Sequence, residues 1–444
     1  MQNFINRWTN IANEFPRTFK IIIVTTFIDR LGGSMLFPFF ALYLTSRFGV
    51  TLAEVGWLFL IFSITSFIGS FIGGALTDRF GRRKMIIFSL VASSLSTAAM
   101  GLVDTMTGFY IIGVVSGLFT DVGGPAQQAL LADVLPEEKR AQGFGIIRVV
   151  FNLAVVFGPI IGGLVAARSF TALFLADAVI SIISATIVYF NVPETKPELK
   201  PHETQETFGQ TFVGYGRVLR DGIFVLFIVT TMLSGFVYMN MNTTLGVILR
   251  DTYSVQPDAY AYLLSINAAM VVLMQFPITR RIEKIPPMLV MAAGTLLYAV
   301  GFAMYGFVSN YPMFILAMVV ITIGEMLVAP IGQALVANFA PEQMRGRYGA
   351  VFGILAWGIP FAVGPLLAGN LVERYGATTL WYACGIVGTF SVLGYLVLHR
   401  LHPATELMDA PSGAPSVAYR IPPHLSSRQL TVGSTHLTMR MRRT

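Results

Sequence analysis

Apolar side chains run in long stretches along the whole chain, and short segments rich in glycine, proline and charge separate them. Each stretch is close to or above the roughly 20 residues with which an α-helix crosses the hydrocarbon core of a bilayer. The pattern predicts twelve membrane-spanning helices in two sets of six. The first set is 18–46, 53–77, 85–104, 106–135, 142–167 and 169–191, and the second set is 222–249, 257–279, 287–307, 311–339, 345–371 and 377–399.

Composition supports a membrane protein, because 55% of the 444 residues are hydrophobic and only 12% are charged. Soluble domains carry about 25% charged residues. A soluble core of buried helices is the alternative, but it needs polar helix faces that this sequence lacks. The net charge of +7 does not indicate a nucleic-acid partner, since the cations lie in short loops and in the C-terminal tail. The expected fold class is an all-α membrane protein.

The polar segments divide the chain into two bundles. We expect six-helix bundles over 1–191 and 222–400, joined by a cytoplasmic linker over 192–221 that ends in a short amphipathic helix. A basic tail rich in proline and serine follows at 401–444 and is expected to be disordered.

The distribution of lysine and arginine predicts the orientation. With an even number of spans, both chain ends lie on one side, and the loops on that side hold most of the cations. The opposite loops carry only Arg47, Arg168, Arg250 and Arg374. The positive-inside rule therefore predicts a multi-pass protein of the cell membrane with both termini in the cytoplasm. Its expected environment is the lipid bilayer, and its expected state is a monomer.

The two bundles resemble each other in sequence. The segment PAQQALLADVLPEEKRAQGFG from Pro125 aligns with PIGQALVANFAPEQMRGRYGA from Pro330, 205 residues later. Two similar bundles around a central axis can rock against each other and expose a mid-membrane cavity to each side in turn. This repeat favours a transporter over a non-transporting receptor or scaffold.

A charged motif between the second and third predicted helices resembles the loop 2–3 signature of the major facilitator superfamily, G-x-L-x-D-R-x-G-R-[RK]. The segment GALTDRFGRRK fills its fixed positions with Gly74, Leu76, Asp78, Arg79, Gly81, Arg82 and Arg83. The resemblance covers roughly residues 15–400. It implies the fold of that superfamily and a latch in which Asp78 faces the start of helix 11 near Arg345 in the outward-open state. A merely solvated charge cluster, the alternative, leaves the glycines unexplained.

The fifth predicted helix, GIIRVVFNLAVVFGPIIGGLV, is similar to the motif G-x8-G-x3-G-P-x2-G-G of proton-coupled exporters in the same superfamily. The matching positions are Gly145, Ala154 in place of a glycine, Gly158, Pro159, Gly162 and Gly163. The resemblance implies tight packing of helices 5 and 8 and export by antiport, whereas generic packing of small residues is the alternative. Helix 4 lacks the arginine of many such antiporters, so their proton relay is not transferred to this chain.

Ionisable groups inside the membrane are costly and are functional candidates. For proton coupling we expect Asp29 first, and then Asp121 and Glu325; structural ion pairs with Arg148 or Arg30 are the alternative for the two aspartates. Asp177 is expected to be structural. The expected substrate cavity is lined by Asp29, Phe37, Gln128, Arg148, Asn152, Tyr238, Asn242, Gln333 and Trp357.

Together these features predict a proton-coupled secondary transporter that exports lipophilic or cationic small molecules. Symport and the export of lipids or glycolipids are the alternatives within the superfamily. No enzyme, cofactor or metal site is expected, since the histidines lie in the linker or at the C-terminal end and no Walker sequence is present. The expected partners are a small-molecule substrate, protons and lipid.

Overall fold

Twelve helices of the computed structural model are long and apolar enough to cross a membrane, which confirms the predicted fold class. The structure describes residues 15–196, 215–282, 284–341 and 344–401. Within these ranges it describes every side chain except those of residues 137, 138, 141, 148, 337, 345 and 346. The predicted tail and most of the predicted linker lie outside the described residues, although the short helix expected at the end of the linker is present at 215–218.

The first half contains six spans. They are α1 (Arg17–Phe48), α2 (Leu52–Phe80), α3 (Arg82–Leu102), α4 (Met106–Val134), α5 (Glu137–Ala166) and α6 (Phe170–Asn191). The second half repeats the arrangement. Its spans are α7 (Gly222–Thr243, followed by a short helix Leu245–Tyr253), α8 (Pro257–Ile282), α9 (Pro287–Met304), α10 (Tyr311–Phe339), α11 (segments Arg345–Phe352, Gly353–Gly358 and Ile359–Tyr375) and α12 (Ala377–Leu401).

Polar residues at the loop ends fix where several helices begin. Thr51 forms a capping box with Glu54, in which the backbone N–H of Thr51 donates to the Glu54 carboxylate at 2.8 Å. Such caps satisfy backbone groups that a first helical turn leaves unpaired. Four further helices begin with side chains that accept from the backbone N–H three residues on, namely Thr105, Ser169, Asp221 and Asn310.

Three predicted helices are interrupted, which corrects the expectation of continuous spans. The helix of α4 stops at Thr120 and restarts at Gly123, because Gly123, Gly124 and Pro125 weaken the helical backbone. Helix α7 is interrupted at Thr244, whose hydroxyl donates to the Asn240 side chain at 2.6 Å. The middle of α11, Gly353–Gly358, is a π-helical turn.

The two halves meet along two pairs of helices. Helix α2 packs lengthwise against α11, and α5 packs against α8. Chain topology places the described chain ends and the α2–α3 turn on one face of the molecule, here the terminal face, and the α1–α2 and α7–α8 connections on the other, the distal face. Two helical halves that meet along such pairs can tilt against each other about a shared axis.

The halves are in contact at the distal face. The backbone N–H of Ala53 donates to the Glu373 carboxylate at 3.0 Å. Arg250 donates to the Leu42 carbonyl at 3.3 Å and to the Ser46 hydroxyl. A β-carbon on Gly56 of α2 would collide with the backbone of α11 at Leu366, so the two helices touch there.

Toward the terminal face, α2 loses this close neighbour. A β-carbon on Gly74 would meet no atom within 4 Å, and the same holds for Gly349 near the start of α11. Helix α2 contacts α11 along the distal segment Ile359–Tyr375, and the two helices diverge toward the terminal face. The conformer is therefore closed distally and open toward the terminal face.

Candidate functional site

The largest described cavity lies between the halves and has a volume of about 710 Å³. Helix α5 of the first half and helices α7, α8 and α10 of the second half form its walls. We call it the central cavity. Its polar lining consists of Asn152, Tyr238, Asn242, Asn267, Gln275, Glu325 and Gln333. The size is that of a site for a drug-like molecule, for which about 300–1,000 Å³ is typical.

Glu325 is the acid of this cavity, and neutral groups hold it. The Tyr238 hydroxyl donates to one carboxylate oxygen at 2.9 Å, and the Asn267 amide donates to the other at 2.7 Å. The same amide also reaches the Thr322 hydroxyl at 3.0 Å. In the described part of the chain, no ion pair to a lysine, arginine or histidine reaches Glu325. An acid bound only by neutral donors is a natural place for a proton or a cation.

Aromatic rings fix the tyrosine that binds Glu325. The Tyr238 ring lies 5.3 Å from the Tyr298 ring and meets Trp357 edge to face at 6.2 Å, both between centroids. Trp357 belongs to the π-helical turn of α11. Through Trp357, the π-helical turn contacts Tyr238, which binds Glu325. Trp357 itself is not among the residues that line the central cavity.

Two smaller cavities are lined mainly by the first half. A polar chamber of about 110 Å³ is lined by Asp29, Arg30, Asp121 and Ser184, among others. An aromatic chamber of about 190 Å³ is lined by Phe37, Phe40, Phe59, Phe62 and Phe361. Ser93 and Thr120 line both chambers, so the two are neighbours.

The structure thus divides the predicted substrate cavity. Asn152, Tyr238, Asn242 and Gln333 line the central cavity together with Glu325. Asp29 instead lines the polar chamber, and Phe37 lines the aromatic chamber. Gln128 is exposed and lines none of the cavities described above. The side chain of Arg148 lies outside the described ones, so its pairing with Asp29 stays a prediction.

Two cavity residues were missed by the sequence interpretation, although the sequence carries a signal for them. Asn267 and Gln275 lie eight residues apart in an otherwise apolar stretch of α8. A primary amide inside a membrane helix is costly unless it finds a partner. Asn267 finds Glu325, and the Gln275 amide donates to the Met326 carbonyl at 3.0 Å.

Asp177, for which a structural role is predicted, is buried inside the first half. The residue is only 6% exposed, and it contacts Gly32 of α1, where a β-carbon would collide with its carboxylate. It therefore adds a third carboxylate to the interior of the first half, beside α1.

The charged motif forms a network within the first half. Arg82 pairs with Asp133 at 3.2 Å and with Asp78 at 3.9 Å. Glu194, which follows α6, accepts from the backbone N–H of Arg82 at 2.7 Å and so caps α3. Gly81 adopts φ +97°, and a side chain there would also collide with Glu194. These contacts tie the α2–α3 turn to the end of α6.

The remaining motif residues are placed as follows. Arg79 lies over the Phe80 ring at 5.5 Å, Arg83 donates to the Tyr189 carbonyl, and Leu76 packs against the core of the first half. The side chain of Asp78 is 63% exposed. The side chain of Arg345, its expected neighbour, is not among those described. The bridge from Asp78 to α11 therefore stays a prediction for the other conformer.

Comparison with protein-family models gives a match to the Major Facilitator Superfamily over residues 22–243 and 227–432. The chain belongs to this superfamily. Family and fold identify a multi-pass membrane transporter.

Named relatives of this superfamily transporter cover nearly its whole length. It is 28% identical over 421 residues to a Na(+), Li(+), K(+)/H(+) antiporter of Planococcus maritimus, covering 88% of this chain and 97% of the relative. It is 25% identical over 399 residues to the multidrug resistance protein MdtH of Citrobacter koseri, covering 86% and 94%. A crystal structure of a POT family transporter with a thioalcohol-conjugated peptide superposes with a TM-score of 0.71 at 15% identity, covering 88% and 97%. That likeness supports the fold alone.

The glycine motif of α5 packs against both α8 and α1. Gly163 does face α8, where a β-carbon would collide with Ala261. Gly158 and Gly162 instead press against the backbone of α1 at Ser34 and Met35. Helix α5 therefore packs on α8 at Gly163, as expected, and on α1 at the other two glycines.

The rest of the motif is less crowded. Ala154 is fully buried, so a small side chain suffices where the motif has a glycine. A β-carbon on Gly145 would meet no atom within 4 Å, and Pro159 lines the central cavity from within α5.

Proposed function

We propose that this superfamily member is a proton-coupled antiporter of the cell membrane that exports lipophilic or cationic small molecules. In this proposal the protein works as a monomer, both termini are cytoplasmic, and the terminal face is the inner face. The observation that carries it is Glu325 in the central cavity, bound by Tyr238 and Asn267 and by no cationic side chain among those that the structure describes.

The chemistry of exchange follows from the cost of burying charge. An ionised carboxylate in a low-dielectric cavity is unfavourable unless something compensates its charge. A proton on Glu325 or a cationic solute beside it compensates this negative charge. The two compete, because once one is bound the charge that would attract the other is already neutralised. Loading of the solute therefore releases the proton, which is the requirement for antiport.

The conformer supports loading from the terminal face. Its central cavity extends toward the terminal ends of α8 and α10, where Gln275 and Gln333 line it, and the distal contacts of Arg250 and Glu373 block the other side. Rocking of the halves would break those contacts and bring Asp78 toward α11. The solute would then face the outside and leave when Glu325 takes up a proton there.

The relatives support parts of this proposal. One carries the name of an antiporter of alkali cations and protons, and another is named for multidrug resistance. Asp29 and Asp121 remain second candidates for the proton, since both line the polar chamber rather than the central cavity.

The test is transport by purified protein in liposomes under an imposed pH gradient. The panel contains ethidium, tetraphenylphosphonium, Na⁺ and K⁺, and a pH-sensitive dye reports proton movement. We expect at least one organic cation to drive protons in the opposite direction, and Glu325→Gln to reduce that proton movement at least tenfold. Asp104→Asn, at an acid that is exposed on the distal side and paired with Arg47, is the matched control and should behave like the wild type.

Other outcomes count against the proposal in different ways. Protons and solute moving in the same direction would indicate symport, and activity with Na⁺ or K⁺ alone would make alkali cations the substrate. Full coupling in Glu325→Gln would remove this residue from the mechanism.

A further inference from the structure

The two chambers of the first half lie side by side and differ sharply in chemistry. Both contact Ser93 and Thr120, so these small hydroxyl side chains form the partition between them. One chamber presents carboxylates, and the other presents phenylalanine rings. A molecule that filled both would need a charged end and an aromatic end.

The polar chamber favours a positive charge. Asp29 and Asp121 line it, and neither forms an ion pair within the described part of the chain. Arg30 is the cation of the lining, but it is exposed and stacks over Phe151 of α5 at 4.5 Å from the ring centroid. Among the lining side chains that the structure describes, the two carboxylates outnumber the arginine, and one added monocation would balance their charge.

A buried hydroxyl at this chamber has no partner. Ser184 of α6 is 0% exposed, lines the polar chamber, and makes no hydrogen bond in the described structure. Buried polar atoms are almost always paired with protein, water or ligand. The unpaired hydroxyl is a second indication, independent of the acids, that something polar binds here.

The aromatic chamber fits a ring. Phe37 meets Phe59 edge to face at 6.0 Å, and Phe40 meets the same ring at 5.7 Å, both between centroids. Phenyl rings in such arrangements pack with a further ring and also attract a nearby cation. Gly33 of α1 leaves space in this chamber, since a β-carbon there would meet no atom within 4 Å.

We propose that the two chambers form one binding site for a small aromatic monocation. Its ammonium group lies beside Asp29 and Asp121, and its single ring lies among Phe37, Phe40 and Phe59. The combined volume of the two chambers is near the lower limit for ligand pockets. The site therefore takes one ring with a compact cationic head and excludes larger dyes. The site is separate from the central cavity, and only its link to export rests on the proposed function.

Occupancy of this site is tied to conformation. Phe361 of α11 belongs to the second half, yet it closes the aromatic chamber and stacks on Phe37 at 5.4 Å between centroids. Rocking of the halves moves Phe361 away. The site is therefore complete only while the distal face is closed, and a bound cation stabilises that conformer.

The probe for this site is benzyltrimethylammonium, and its binding to the purified full chain is measured by isothermal titration calorimetry. We expect the wild type to bind it at least tenfold more tightly than tetramethylammonium, which lacks the ring. Asp29→Asn should weaken binding at least tenfold. Gly33→Val should do the same by filling the aromatic chamber without a collision at its β-carbon, and Phe361→Leu should weaken binding by removing the ring from the second half.

Two variants separate this site from others. Gly349→Val is the matched glycine control, because its β-carbon also meets no atom within 4 Å, and it should bind as the wild type does. Glu325→Gln tests the central cavity. Loss of probe binding in Glu325→Gln together with normal binding in Asp29→Asn would assign the probe to the central cavity and overturn the proposal. Wild-type affinity in Gly33→Val would also overturn it. So would a failure of the wild type to bind the probe. Absence of transport in liposomes would contradict the proposed function and leave the binding result standing.

Discussion

Contacts of single residues explain why the charged motif contains a glycine and both acidic and basic side chains. The turn between α2 and α3 needs a backbone conformation at Gly81 that residues with a β-carbon rarely adopt, and the carboxylate of Glu194 occupies the space where that carbon would lie. Asp133 and Asp78 then pair with Arg82 beside the same turn. The motif is a folded charge network, and a cluster of solvated charges would need none of these contacts.

Gly81→Ala tests this turn directly. Positive φ and the collision with Glu194 both disfavour alanine, so we expect a loss of about 1–3 kcal/mol in the free energy of unfolding. Thermal unfolding of the purified protein measures the change. Gly216→Ala, at a glycine whose β-carbon would meet no atom within 4 Å, is the control. Equal stability of the two variants would show that Gly81 is not under this constraint.

The sequence predicted polar residues inside the membrane well but could not predict their partners. Glu325, Tyr238 and Asn242 stand out in apolar stretches, so their inward position followed from the cost of burying polar groups. Which acid faces which cavity depends on the relative rotation of neighbouring helices. A single sequence without distances does not contain that rotation, so it could not show that Asp29 and Phe37 line chambers separate from the central cavity.

At the level of helices, the apolar pattern predicted number, order and approximate ends, because a membrane span is set by length and hydropathy alone. The interruptions at Asp121, Thr244 and 353–358 were missed, since a polar or glycine-rich segment can also continue as a regular helix. Two of these interruptions lie near the sites described above. Asp121 lines the polar chamber, and the π-turn carries Trp357.

The packing of α5 provides a prediction at this scale. A β-carbon on Gly162 would collide with the backbone of α1 at Met35, whereas one on Gly145 meets nothing. We expect Gly162→Ala to lower the free energy of unfolding by about 1–3 kcal/mol. Gly145→Ala, the matched control on the same helix, should change it by less than about 1 kcal/mol or raise it, since alanine favours helix. Denaturation of both variants in the same detergent measures their free energies of unfolding. An equal effect of the two substitutions would contradict the packing of α5 on α1.

At the level of the whole molecule, the distal contacts and the charged motif lie at opposite ends of the same pair of helices. Helix α2 touches α11 at Gly56, whereas a β-carbon on Gly74 would meet no atom within 4 Å. We therefore expect closing of the terminal face to open the distal one, because both helices are continuous between these points apart from the π-turn of α11. This is how a two-half transporter exposes its cavity to one side at a time.

Asp78→Asn tests the coupling between the two faces. Asp78 is 63% exposed in this conformer, so the substitution should leave the distally closed state intact and destabilise only the state in which Asp78 meets the start of α11. We expect turnover in liposomes to fall about tenfold, while the affinity for the solute changes less than twofold, and Asp104→Asn should change neither quantity. Spin labels on the terminal ends of α2 and α11 should show a shift toward the wide distance found in the present conformer. Equal losses of turnover and affinity, or an unchanged distance distribution, would mean that Asp78 does not hold the second conformer, and the charged motif would then serve only to fold the α2–α3 turn.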